Sequence, residues 1–159
     1  MNIHVPQSIQ TVTELMLIAN VDKRFVNPRN SQIVIAIKMD TLMGSYLQTY
    51  DDIRIDWKDA MNILMNTSVG LNGSIPKNKT VSGKFLYSQL LQSGINILKK
   101  NSDGSPNMRI HNGLITHGKF AKSEIQSVIL KTWRQYGSNT TVNFVDDLQR
   151  MVLKWLFKP

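Results

Sequence analysis

The chain has 159 residues, 42% of them hydrophobic, so it can bury a core and is not disordered throughout. The absence of cysteine excludes disulfides, thiolate zinc sites and cysteine nucleophiles together. Nineteen lysines and arginines against 11 acids give a net charge of +8, which suits an anionic neighbour such as nucleic acid, a nucleotide or an acidic protein and serves solubility equally well.

The chain opens Met1-Asn2-Ile3-His4-Val5-Pro6-Gln7-Ser8, a stretch with neither a signal-peptide charge pattern nor an apolar run fit for a membrane. Pro6 pushes the residue before it to extended geometry, so Asn2 and His4 project from one face of an extended segment. Taken alone, His4 reads as a core histidine and Asn2 as a turn residue. Residues 8–18 then form a helix with Ile9, Val12, Leu15 and Met16 on one face. Its start is Ser8 or Thr11, since Thr11 and Glu14 also fit a capping box. Residues 20–30 break the pattern around Pro28.

The β-branched run Ile33-Val34-Ile35-Ala36-Ile37 is expected to be a buried strand, followed by Asp40 capping a helix over 41–49. Asp51 and Asp52 suggest acid–base chemistry, but neighbours on an extended chain point apart, so they read as a solvated turn. A short strand Ile53-Arg54-Ile55 precedes a helix over 57–66, capped by Asp56, with Trp57, Ala60, Met61, Leu64 and Met65 apolar. Residues 67–79 read as an irregular basic connection.

Ser82-Gly83-Lys84 opens a helix over 83–91. A Gly-Lys at a helix start suits a phosphate, although the glycine spacing of a P-loop is absent. Strand Ile95-Asn96-Ile97-Leu98, a polar loop over 101–106 and a hairpin follow. The hairpin joins 108–111 to 114–118 through Asn112-Gly113, a pair that accepts the positive φ of a tight turn. His4, His111 and His117 are the three histidines, and their spacing gathers no metal site. Ser123 is expected to cap a helix to Tyr136, ended by Gly137. Thr140 or Thr141 would start a last helix with Val145, Leu148, Val152, Trp155 and Leu156 in one stripe. Asp146 and Asp147 near its start, and Arg150, Lys154 and Lys158 towards its end, suit the helix dipole. Four Asn-x-Ser/Thr sequons, at Asn66, Asn72, Asn78 and Asn139, fall within the reach of chance in so Asn-rich a chain.

Several of these stretches, in this order, resemble the largest subunit of multisubunit DNA-directed RNA polymerases. In that family an Asp-rich loop with three magnesium-binding carboxylates ends in Asp-Glu and continues Met-Asn-(Leu/Ile)-His-Val-Pro-Gln-Ser, as in Met1 to Ser8 here. Asp40-Thr41-Leu42-Met43-Gly44 is similar to Asp-(Thr/Ser/Met)-Leu-Leu-Gly, although Met39 replaces the usual preceding glutamine. Ser82-Gly83-Lys84 resembles (Ser/Thr)-Gly-Lys-(Gln/Glu), with Val81 in place of a tryptophan and Phe85 in place of the last residue. The Asn112-Gly113 hairpin and the closing Trp155-Leu156 complete the resemblance, whose divergence elsewhere is closer to the polymerases of large cytoplasmic DNA viruses than to a nuclear enzyme.

The resemblance implies the pore domain, an α+β fold of mixed helices and short strands, here one domain over 1–159 cut from a longer subunit. It implies a part in template-directed RNA synthesis beside the active centre, close to the RNA 3′ end. Asn2, His4 and Gln7 would support the metal loop, and Ser82, Gly83 and Lys84 would face the nucleotide or RNA path. The chain itself would carry no catalytic residue and no metal ligand, and would be inactive alone. Magnesium would be held by residues outside it. The partners would be other polymerase subunits, DNA template, RNA and nucleoside triphosphates, with no membrane, in the cytoplasm or virion for a viral enzyme and in the nucleus for a cellular one. The rival reading is a stand-alone basic nucleic-acid-binding module, which rests on the +8 charge.

Overall fold

A computed structural model of the chain describes residues 1–50, 53–69, 75, 77–100, 104 and 106–157. The Asp51-Asp52 turn, residues 70–74 and 76 of the loop over 67–79 (Asn72 among them), most of the loop over 101–106, and Lys158 lie outside the described residues. The architecture is α+β. Helices α1 (Ile9–Leu17), α2 (Met39–Gln48), α3 (Trp57–Leu64), α4 (Gly83–Gln89) and α5 (Lys122–Leu156) alternate with strands β1 (Arg54–Ile55), β2 (Val81–Ser82), β3 (Ile97–Lys100), β4 (Pro106–His111) and β5 (Leu114–His117). Strands β1 and β2 form one antiparallel pair, and β3-β4-β5 a three-stranded antiparallel meander.

The meander is built on its turn. Asn112 and Gly113 take φ of 48° and 74°, and His111 stands opposite Leu114. Both turn amides are fixed from outside the hairpin: Asn112 N–H donates to Asn96 Oδ1 at 2.8 Å and Gly113 N–H to Ile95 O at 2.9 Å. That explains why β3 begins at Ile97 and not at Ile95 as expected: Ile95 and Asn96 are used to hold the turn. Alternation puts Met108, Ile110 and Ile115 into the core.

Helix α5 is the central element. It packs on α2, where a Cβ at Gly44 would overlap Val152 and come within 2.8 Å of Leu156, and on α3. Gly137 ends its first half as expected, with φ 83° and ψ −177°, and the helix resumes directly beyond. Thr140 and Thr141 are therefore not caps. Their hydroxyls donate to Tyr136 O and Gly137 O, one turn back. Ile125, Val128 and Ile129 are buried before the kink, and Phe144, Leu148, Met151 and Val152 after it.

Polar groups close the middle of the core. Tyr87 of α4 is fully buried; its hydroxyl donates to Ser45 Oγ at 2.6 Å, and Ser45 Oγ donates to Thr41 O at 2.6 Å. Thr49 Oγ1 donates to Ser45 O at 2.7 Å and accepts the Phe120 N–H at 2.9 Å, while the Phe120 ring lies 4.6 Å from that of Tyr87. Burial pushes the Tyr87 phenol pKa up, so it stays a neutral donor. These bonds fasten α2, α4 and the entry to α5 at one point.

Four further expectations are corrected. The run Ile33 to Ile37 forms no strand: among the described residues, only Val26 bridges to Ile33 and no second strand runs alongside. Instead it closes a turn through Asn27 N–H to Gln32 O and Val34 N–H to Phe25 O, leaving Ile37 buried and Val34 exposed. Asp40 does not cap α2; Lys38 holds the cap position, Met39 takes φ 52°, and Asp40 sits in the first turn, where its charge suits the dipole. Ser123 does not cap α5; Ala121 holds that place, because the Ser123 hydroxyl donates to Glu124 Oε1 at 2.7 Å. On α3, Ile63 and not Met65 joins Ala60 and Leu64 in the core.

Candidate functional site

The first candidate is the opening stretch. Asn2, His4 and Gln7 lie exposed on a segment that is neither helix nor strand, so His4 is not the core histidine that its residue type alone suggests. Ser8 caps α1, accepting the Thr11 N–H at 3.2 Å, which decides between the two starts. The expected apolar face of α1 exists but is left mostly uncovered among the described residues: the helix buries no residue, Val12 is half-buried, and Ile9, Leu15, Met16 and Leu17 are all exposed.

The second candidate is the start of α4. Ser82 stands at the end of β2, opposite Arg54 of β1, and its hydroxyl accepts the Phe85 N–H at 3.2 Å. Gly83 donates its N–H to Ile53 O at 3.3 Å. A Cβ at Gly83 would overlap the carbonyl oxygen of Gln48, so glycine is required there by close approach to the end of α2. Both residues are thus accounted for by packing and capping. Of the expected trio, the half-buried Lys84 side chain, with exposed Arg54 across the strand pair, is what this corner offers an anion.

The opening stretch, the α4 start and the hairpin histidines do not form one cluster. His111 pairs in register with Leu114 and His117 with Arg109, so the hairpin does not bring the two imidazoles opposite each other. Among the described residues, no three His, Asp or Glu side chains gather to hold a metal ion.

A third region was missed by sequence reasoning. Tyr46 and Tyr50 stand one turn apart at the end of α2, their rings 6.2 Å apart and steeply inclined. Lys119 Nζ sits 3.7 Å from the Tyr50 ring centre and 5.8 Å from that of Tyr46. Beside Tyr46 opens a cleft of about 530 Å³, reaching past His117 and Asn107 to Glu124. The Glu124 carboxylate is 2% exposed and accepts at Oε1 from Lys99 Nζ and Asn107 Nδ2, each at 3.1 Å, and from Ser123 Oγ. Burial alone would raise its pKa, but the bonds from Ser123 and Lys99 and the lysine charge outweigh that, so it lies below the ordinary value of 4.5. The sequence signal was the Tyr46–Tyr50 spacing; nothing local tied it to Lys119. Asp147 was also read too simply. It is buried, and it anchors the loop after α3 by accepting from Ser68 N–H at 2.8 Å and from the Ser68 hydroxyl.

Residues 24–158 match the RNA polymerase Rpb1, domain 3 family. The chain belongs to that family. It is 56% identical over 158 residues to DNA-directed RNA polymerase subunit 1 of Acanthamoeba polyphaga mimivirus, a match covering 99% of this chain and 11% of the relative. It is 27% identical over 169 residues to the DNA-directed RNA polymerase II subunits RPB1-A and RPB1-B of Trypanosoma brucei brucei, covering 98% of this chain and 10% of each relative. The chain thus spans about a tenth of the length of these curated relatives. The resemblance to polymerase largest subunits agrees with the family and with these relatives, and its leaning towards large DNA viruses agrees with the mimivirus relative. Among the described residues of this Rpb1 domain 3 chain, no helix is long and apolar enough to cross a membrane.

Proposed function

We propose that this Rpb1 domain 3 chain acts as the pore-lining part of a DNA-directed RNA polymerase. It would stand beside the active centre, on the path of incoming nucleotides and of the RNA 3′ end. The observation that carries this reading is the family match over residues 24–158, extended by relatives that align with 98–99% of the chain. The exposed Asn2, His4 and Gln7 are suited to supporting a metal loop of such a subunit, because nothing among the described residues covers them. Lys84, with Arg54 nearby, supplies positive charge to the nucleotide or RNA path, and the Ser82 cap and Gly83 contact fix the backbone that carries it. Two-magnesium nucleotidyl transfer would be performed by carboxylates elsewhere in the subunit, so the isolated chain is inactive. DNA, RNA, nucleoside triphosphates and further subunits are the proposed partners, and the cytoplasm or virion is the proposed compartment for a viral enzyme.

Lys84→Ala in the assembled enzyme tests the phosphate contact: slowed elongation or altered transcript cleavage is expected, and unchanged rates of both would sink it. Salt-sensitive RNA binding by the chain alone would instead favour the stand-alone basic module.

A further inference from the structure

The end of α2 carries two different surfaces. One side of it, at Gln48, is pressed against Gly83. The other presents Tyr46 and Tyr50, both about two-fifths exposed, with the Lys119 ammonium held against their rings. Exposed aromatic rings beside a cation are the two elements by which proteins hold single nucleotides: a π-face for the base and a charge for the phosphate. The adjoining cleft, at about 530 Å³, is of the size that takes such a ligand. Its charge also decides between ligands. The acid in its lining, Glu124, is already matched by Lys99, while Lys119 lines it as well. A basic peptide would meet like charge there, whereas a phosphate-bearing ring compound would not. Glu124 holds Asn107 and Ser123 in fixed orientations at the cleft wall, which gives a bound base defined polar neighbours and not mobile ones.

We propose that Tyr46, Tyr50 and Lys119, with the cleft beside them, bind one nucleotide unit. The base stacks on the tyrosine shelf and the phosphate pairs with Lys119. The unit comes either from single-stranded RNA or from a free nucleoside triphosphate, since both present the same base and phosphate. This site is distinct from the α4 corner and shares with the proposed function the premise that the chain works inside an RNA polymerase.

The test is photo-crosslinking of the assembled polymerase with a thiouridine-bearing RNA and, separately, with azido-adenosine triphosphate, followed by peptide mapping. An adduct at Tyr46, Tyr50 or Lys119 is expected with at least one probe, and the reacting probe identifies the source. The double variant Tyr46→Ala, Tyr50→Ala should lower that adduct about tenfold, the size of one lost base–aromatic stack. Lys119→Glu should lower it by a similar factor, while Tyr46→Phe, which keeps the ring, should retain it. All three positions lie at or near the surface, and co-assembly with the other subunits checks that the variants fold. Absence of adducts at the shelf with both probes, or adducts there that the variants leave undiminished, overturns the proposal. Adducts confined to the α4 start would overturn it while leaving the proposed function standing.

Discussion

Residues 1–18 and the junction of α2, α4 and the entry to α5 were equally patterned in sequence, yet they ended differently. Helix α1 has an apolar stripe, a working cap and no buried residue. The junction has Tyr87, Phe120, Ser45 and Thr49 locked by four short hydrogen bonds and a ring contact at 4.6 Å. Periodicity reports that a face is apolar; it does not report whether the covering surface belongs to the same stretch of chain. The family match begins at residue 24, beyond α1 and the short 3₁₀ turn Val21–Lys23, while the relatives align through almost the whole chain.

The strongest way to break the contrast is Phe120→Ala. Removing a fully buried ring should cost about 3–5 kcal/mol in urea unfolding. A loss below about 1 kcal/mol would mean that the junction does not carry the core. Gly83→Ala should cost about 3 kcal/mol, the upper end of overpacking, because the obstructing atom is the Gln48 carbonyl and cannot swing aside. If Gly83→Ala leaves stability intact but impairs the assembled enzyme, the glycine serves the nucleotide path and not the packing.

The hairpin and the α4 start were legible because their signals are local: Asn112-Gly113 selects its turn, and Ser82 reaches an amide three residues on. The Ile33 to Ile37 run was not legible as loop, since β-branching describes a residue that fits a strand and carries no information about a partner strand. Ser123 was misread for a related reason: its hydroxyl had two competing uses, and the Glu124 carboxylate took it. The tyrosine shelf depends on Lys119 arriving from the far side of the meander, which no window of sequence displays.

Smaller effects sharpen the same comparison. Because the folded-state pKa of Glu124 lies below its ordinary value, its bonds stabilise the fold above the ordinary glutamate range, and that stability is lost as pH falls through the folded value. Unfolding midpoints measured from about pH 7 down to about pH 3 should decline, and Glu124→Gln should flatten that part of the decline. An equal decline in the variant would show that the Lys99 pairing contributes nothing. The smallest effect is expected at α1: Ile9→Ser with Met16→Ser should shift the stability of the chain by about 0.5 kcal/mol or less. A larger loss would place a hidden packing partner within these 159 residues.

The close seat of Gly44 against Val152 and Leu156 sets a timetable for synthesis. The β3-β4-β5 meander joins neighbours in sequence and can form within about 10 µs of leaving the ribosome. Helix α2 is made far earlier, but its partner surface is the last turn of α5, more than a hundred residues further on. At about 5–20 residues per second, the nascent chain holds α2 without its final neighbour for about five to twenty seconds. During that interval Met43 and the uncovered flank of Gly44 are within reach of whatever the ribosome's surroundings supply. A chaperone footprint on residues 39–48 that disappears once residue 156 has emerged is what this order of events requires.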